Sequence, residues 1–339
     1  MKKKILISDI AKDLGVSVTT ISFILNGKAK EKRISEGLTK RVLEHVQKVG
    51  YKPNELAKSL RTGKTKIIGL VIEDISNPFF ANIARLIEAK AYSRGYRIIY
   101  CSTDNQPEKA IELIQLFRDR HVDGYIITPS EGVRDTIASL LNNQLPVVLF
   151  DRYIPGLYTN HVITDNVRGA YDATAHLAQQ GHRRIAMVTL YSSQTQMRDR
   201  MDGYMRAIDT YKLQPYVKKV NMNDDEPTVI ADFRAFLEDQ QPEAVFFATN
   251  YLAITGLKTL KQYGLPTPAV VSYDDHTLFK LFTPTITAVS QPMEAIASEL
   301  INILLNQLDG KEKGPKQVML PSELIVRESS MLQTSSTGN

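Results

Sequence analysis

The sequence predicts an α/β protein built as a small helical head, a short connecting helix and two doubly wound lobes, each a parallel sheet wrapped by helices. Two observations carry this reading. From Lys66 onward, apolar runs of strand length alternate with amphipathic stretches of helix length, in two consecutive series. Before Lys66 that alternation is missing, and the charge differs as well: residues 1–66 hold 16 Lys and Arg against 6 Asp and Glu, the remainder 26 against 31. The net charge of +5 is therefore a basic head on an acidic body. Such a division suits a polyanionic partner engaged by the head alone.

In the head, Ser8 is expected to cap a helix running to Leu14, with Ile10, Ala11 and Leu14 facing a small core and Gly15 taking a left-handed stop. Ser17 caps a second helix in which Val18, Ile21 and Leu25 recur at helical spacing, while Thr19, Thr20, Ser22 and Phe23 lie on the other side. Two short helices joined by a tight turn have the layout of a helix-turn-helix, whose second helix enters the DNA major groove. Any pair of amphipathic helices shares that outline, so the basic charge matters as independent support.

The first strand series is expected at 67–73, 97–103, 124–129 and 147–151, with helices at 79–94 and 108–118 between. The second has strands near 185–190, 217–221, 244–249, 269–273 and 286–290, with helices near 198–211, 227–239, 252–263 and 293–308. Ligands of such sheets sit beyond the carboxyl ends of the strands. Those ends carry Asp74, Asp104, Asp151, Asn250, Asp274 and Asp275.

Other chemistries find little footing. The 339 residues suggest two to three domains. Cys101 is the sole cysteine, which rules out an internal disulfide and suits a reducing, cytoplasmic setting. No membrane span is visible, and the apolar run Ile5-Leu6-Ile7 is shorter than the roughly seven residues a signal-peptide core needs. His45, His121, His161, His176, His182 and His276 show no metal-ligand spacing, so neither metal nor cofactor is expected. Gly63-Lys64-Thr65 lacks the glycine that a phosphate-binding loop needs five positions earlier, where Lys58 stands. There is no Gly-x-Ser-x-Gly elbow, and Asp274-Asp275-His276, the only catalytic-looking cluster, is better explained by ligand binding beside a helix start.

Over nearly its whole length the chain resembles the lactose-repressor (LacI/GalR) family of transcription regulators. The resemblance rests on DIAKDLGVSVTTIS, LNG, RVLEHVQKVGYKPNELAKSLRTGKTKIIGLV, DISNPFF, VDGYIITPS, PVVLFDR, Asp165-Asn166, GHRRIA, RMDGY, YDDH and TPTITAVSQP, in that order. It implies a DNA-binding head (1–52), a hinge helix and linker (53–66), and two effector-binding lobes of periplasmic-binding-protein type. The lobes would comprise 67–165 with 292–320 and 166–291 with 321–333, leaving a tail at 334–339. The partners implied are operator DNA, a small-molecule effector of sugar type and a second copy of the chain. A periplasmic sugar-binding protein without a DNA role is the alternative; it would carry a secretory signal and no helix-turn-helix, the reverse of what stands here. The polar tail lacks heptads, so a dimer is expected rather than a coiled-coil tetramer.

The resemblance also assigns residues. Val18, Thr19 and Phe23 would read bases, with Ser17, Ser22 and Asn26 near phosphates and Thr20 in the same DNA-binding set. Phe23 stands where relatives commonly have Arg, and a phenyl ring offers only apolar contact, for example to a thymine methyl. The basic loop 27–34 would add backbone contacts. In the hinge, Pro53 suits a first helical turn and Gly63 a stop. Its roughly nine residues fall below the ~12–15 of an independently stable helix, so it should order on DNA and against its twin. Asn54 belongs to this DNA-binding set, and Leu60 would wedge into the minor groove. Between the lobes, Arg200 would grip the effector and Asp274 face it. Asn77, Phe79 and Phe80 would line the cleft at a helix start, with Asp104, Asp151, Asn166, Tyr191 and Asn250 as secondary candidates. Tyr251 departs from the Asp that many relatives place after the asparagine.

Overall fold

The computed structural model describes residues 5–51, 63–221, 224–311 and 314–331. It divides into two units, Met1–Thr65 and Lys66–Asn339. The hinge readings at Pro53, Asn54 and Leu60 lie outside the described residues.

Among its described residues the first unit has three helices: α1 (Ile7–Leu14), α2 (Val18–Leu25) and α3 (Glu36–Val49). The first begins two residues earlier than expected. Leu6, not Ser8, is its N-cap, because Asp9 reaches back and accepts a hydrogen bond from the Leu6 amide at 2.9 Å, placing a carboxylate at the positive end of the helix. Gly15, at φ +67°, ends the helix. Ser17 caps α2 as expected, accepting from the Thr20 amide at 3.0 Å. Ile10, Ala11, Ile21, Ile24 and Val42 form the core. Val18, which shares helical spacing with Ile21, is 43% exposed, as a base-reading position needs; Ile24 takes the inward position, three residues after Ile21.

In the second unit the first sheet runs β11 (Gln317–Leu320), β5 (Asn160–Thr164), β4 (Val147–Phe150), β3 (Gly124–Ile127), β1 (Ile67–Ile72), β2 (Arg97–Ser102), all parallel. Around it lie α4 (Pro78–Ser93), α5 (Pro107–Asp119) and α6 (Arg134–Asn142). The second sheet runs β12 (Glu323–Ile325), β10 (Thr287–Ser290), β9 (Ala269–Tyr273), β8 (Ala244–Phe247), β6 (Ile185–Leu190), β7 (Tyr216–Val220), parallel except for β12. It is wrapped by α7 (Asn166–Gln179), α8 (Thr195–Thr210), α9 (Glu226–Gln240) and α10 (Asn250–Tyr263). The chain passes between sheets three times: from β5 to α7, from β10 to α11 (Met293–Leu308), and from β11 to β12. α11 packs Ile296, Leu300 and Leu304 into the core of the first sheet.

Glycine is required where elements approach closely, as at Gly69 and Gly203. A Cβ on Gly69, in β1, would lie 2.5 Å from the Phe117 ring of α5. One on Gly203, in α8, would lie 2.2 Å from the Val167 carbonyl, because α7 and α8 pack with their backbones nearly touching.

Candidate functional site

On α2, Val18 and Thr19 are exposed, while Thr20, Ser22 and Phe23 are half-buried. Three of the polar candidates also hold the helix together. The Ser17 hydroxyl sits 2.8 Å from that of Thr20, and the Asn26 amide donates to the Ser22 carbonyl at 2.6 Å. Ser17 and Asn26 thus fix the two ends of α2 and leave Val18 and Thr19 free at its start. Phe23 carries the Lys32 ammonium 5.4 Å from its ring centre, so the basic loop folds back over the face where it stands.

In the second unit the carboxyl ends of both sheets meet at a narrow cavity of about 30 Å³. Asn77, Phe79, Phe80, Asp151, Arg200 and Asp274 all line it, together with Glu73, Arg152, Gln194, Gln196, Met197 and Tyr251. Asn77 caps α4, its side-chain oxygen accepting from the Phe79 amide at 3.0 Å, and Phe79 packs edge-on against Phe80 with ring centres 5.1 Å apart.

Arg200 projects from α8 and is 2% exposed. Its Nε donates to Asn166 Oδ1 at 2.9 Å and its Nη1 to the Ala248 carbonyl at 2.7 Å. Asp274 lies 3.6 Å from the same Nη1, and the guanidinium carbon rests 3.7 Å from the centre of the Tyr273 ring. A guanidinium has five donors in a rigid plane, and these bonds use only its Nε and Nη1 edges, leaving Nη2 available. Asp274 is itself oriented by Gln291, which donates at 2.6 Å and accepts from Thr164 at 2.7 Å.

Across the cavity, Arg152 is 3% exposed and surrounded by acceptors: Glu73, Asp151 at 3.2 Å and Asn105 at 2.7 Å. Burial pushes the Asp151 carboxyl up to about 6, against the opposing pull of Arg152 and Arg200. Asp104, Asp151 and Asp274 each follow a strand at positive φ (+53°, +65° and +68°), where the chain turns from strand end toward the next segment. Asp is among the few side chains that adopt this region readily.

The remaining candidates stand apart from the inner cavity. Asp104 pairs with Lys109 at 2.5 Å. Tyr191 is 68% exposed and outside the lining. Asn250, buried at the start of α10, lines a wider outer hollow of about 440 Å³ that shares Glu73, Asn77, Leu190 and Tyr251 with the inner cavity. Asn166 acts behind Arg200 rather than on the wall. The sequence reading missed Glu73, Arg152, Gln194 and Gln196. Glu73 precedes Asp74 at the end of β1, and Arg152 follows Asp151 in the quoted PVVLFDR, so strand-end reasoning extended by one residue would have found both. The glutamines on the α8 side carry no such signal.

Among the described residues no helix is long and apolar enough to cross a membrane. Residues 6–54 match the family described as bacterial regulatory proteins, lacI family, and residues 174–330 match the periplasmic binding protein-like domain. The chain is 28% identical over 330 residues to the HTH-type transcriptional repressor PurR of Actinobacillus pleuropneumoniae serotype 5b, spanning 95% of this chain and 97% of that relative. A LacI family transcriptional regulator from Enterococcus faecium with bound ribose is similar in structure, with TM-score 0.69 and 26% identity over 78% of this chain and 98% of the other. The lac repressor dimer bound to operator and the anti-inducer ONPF shares the fold at TM-score 0.86 and 20% identity, covering 97% of this chain and 100% of that one. The chain thus joins a lacI-family regulatory domain to a periplasmic binding protein-like domain, the composition of a DNA-binding transcriptional regulator.

Proposed function

We propose that this regulator acts in the cytoplasm as a homodimer, that α2 reads the operator, and that a sugar-class effector held between the two lobes sets operator affinity. The head at 1–52 and hinge at 53–66 deliver the DNA contacts; residues 67–165 with 292–320 and 166–291 with 321–333 supply the two walls of the effector site. The observation that carries the effector reading is Arg200: a buried guanidinium, braced by Asn166, Ala248 and the Tyr273 ring, with Asp274 beside it and donors to spare on the cavity wall. A charged fork, a carboxylate and aromatic faces are the mix that holds polyhydroxylated ligands. The ribose bound by the Enterococcus faecium neighbour supports the same class.

A dimer fits the surface. The edge strand β2 exposes Ile99 and Tyr100, with Tyr92 exposed at the end of α4; in the second lobe Leu278 and Leu281 are exposed. Large apolar side chains left open to water favour burial against a second copy. Effector and operator then prefer different lobe arrangements, and each changes the other's affinity by one shared factor.

A thermal-shift screen of sugars, sugar phosphates and purines identifies the ligand, since one that binds only the folded state raises Tm. Operator binding titrated with that ligand then tests the site. Arg200→Ala should weaken the effector ten- to a hundredfold, from the loss of charge-assisted hydrogen bonds worth about 1.5–3 kcal/mol, and leave ligand-free operator affinity nearly unchanged. Loss of ligand-free operator binding would move Arg200 from the pocket to the scaffold.

A further inference from the structure

A separate cavity of about 170 Å³ opens beside the cleft and shares Arg152 and Gln194 with it. Three observations at its wall point to an oxyanion. The first is α8, a 16-residue helix that begins there: Gln194 provides no side-chain cap and the first turn has no acidic residue. The leading amides of a helix have no intrahelical acceptor, and together with the macrodipole they favour an anion. The second is charge. Arg198, in the first turn, is exposed and forms no ion pair among the described residues, while Arg134 is held by the carbonyls of Pro155 at 2.7 Å and Gly156 at 3.0 Å, which leave its charge uncompensated. The third is Ser130, which is 7% exposed and whose hydroxyl has no hydrogen-bond partner among the described residues. A buried hydroxyl left unsatisfied is costly, and a ligand oxygen would satisfy it.

The wall is not uniformly positive. Glu131 lines it too, accepting a hydrogen bond from Ser193, and the charge of Arg152 is matched by Glu73 and Asp151. On the lining itself Arg134 and Arg198 stand against Glu131, while Arg152 is offset by its two carboxylates behind the wall, so the excess is one positive charge focused by a helix start, the scale of one phosphoryl group rather than a polyanion.

We propose that this side cavity binds a phosphoryl group carried by the effector, so that the ligand class is a sugar phosphate with its hydroxylated body toward Arg200. The proposal rests on the effector reading above. Ser130 and Arg134 belong to the first lobe and Arg198 to the second, so a phosphoryl group seated between them would tie the lobes together. A phosphorylated ligand would therefore hold the closed arrangement more firmly than its neutral parent.

The test is isothermal titration of the full-length protein at low ionic strength with inorganic phosphate, ribose and ribose 5-phosphate. Wild type should bind inorganic phosphate, and Arg198→Ala should weaken it at least tenfold with little change in unliganded Tm. Ser130→Ala, a milder change that leaves the arginines in place, should weaken it severalfold. No binding by wild type, or equal binding by both variants, which would place the phosphate on the basic head, overturns the proposal. Neutral sugars judge the parent reading separately. Binding lost in Arg200→Ala but kept in Arg198→Ala, without any phosphate response, would remove this subsite and retain the cleft. A phosphate response through Arg198, with no ligand depending on Arg200, would do the opposite.

Discussion

Arg152 and Arg200 face one another across the same cavity, equally buried, yet their surroundings give them different work. Arg152 meets two carboxylates and a side-chain amide, and its charge is spent within the protein. Arg200 meets an amide oxygen, a backbone carbonyl and an aromatic face, with Asp274 at the looser distance of 3.6 Å, and it keeps part of its fork open. Burial alone therefore does not set what an arginine can do; the identity of its partners does. An arginine saturated by carboxylates locks a wall, and one braced mainly by neutral acceptors keeps donors open, as the proposed effector role requires.

The largest expected effect breaks the lock. Arg152→Ala strands Glu73 and Asp151 as buried carboxylates, and removing one partner of a buried pair costs about 3–5 kcal/mol. Arg200→Ala, which strands one carboxylate already oriented by Gln291, should cost clearly less. Denaturant unfolding of both variants checks the order; equal losses would erase the distinction between the two arginines.

The next effect is on pH. The Asp151 carboxyl titrates near 6 in the fold against 3.8 for the ordinary group, so between those values the folded state holds more protons than the unfolded chain. Its contribution to stability then falls as pH rises through that window, by about 2–3 kcal/mol. Asp151→Asn should remove this limb from a plot of unfolding free energy against pH between 4 and 6. An unchanged slope would mean that Arg152 compensates the charge fully.

The smallest effect leaves the cleft for the head. Phe23→Arg should shift base preference toward guanine at one symmetric position per half-site, by about 1–3 kcal/mol. Selection on random operators reads this directly, and an unchanged consensus would take Phe23 off the reading face.

The sequence was most legible where side chains were large and evenly spaced. β1, β3 and β4 are continuous apolar runs, and each is found within a residue or two of its expected position. β5 was missed because Asn160 and His161 open it; both are buried there, Asn160 accepting from the Lys316 amide and His161 stacked on Tyr153. α7 was missed for the opposite reason. Its buried face includes Gly169, Ala170, Ala173 and Ala178, too small to register as a hydrophobic stripe, yet Ala170 must be small beside Gly203 of α8, and a Cβ on Gly169 would lie 2.5 Å from the Ser322 hydroxyl. At the site, acids at strand ends were visible because strand ends were the place to look. Gln194 and Gln196 reach the same cavity from the start of α8, a position that no periodicity marks.

The left-handed backbone at Asp151 and Asp274 has a consequence for how this chain can change. Most side chains pay about 1–2 kcal/mol to adopt such a conformation, whereas Asp and Asn enter it readily. A single-base mutation interchanges the codons of those two residues. Selection can thus switch a charge on the cavity wall, and with it the ligands the wall prefers, without disturbing the turn that carries it; nearly every other replacement would have to be accepted together with a strained loop.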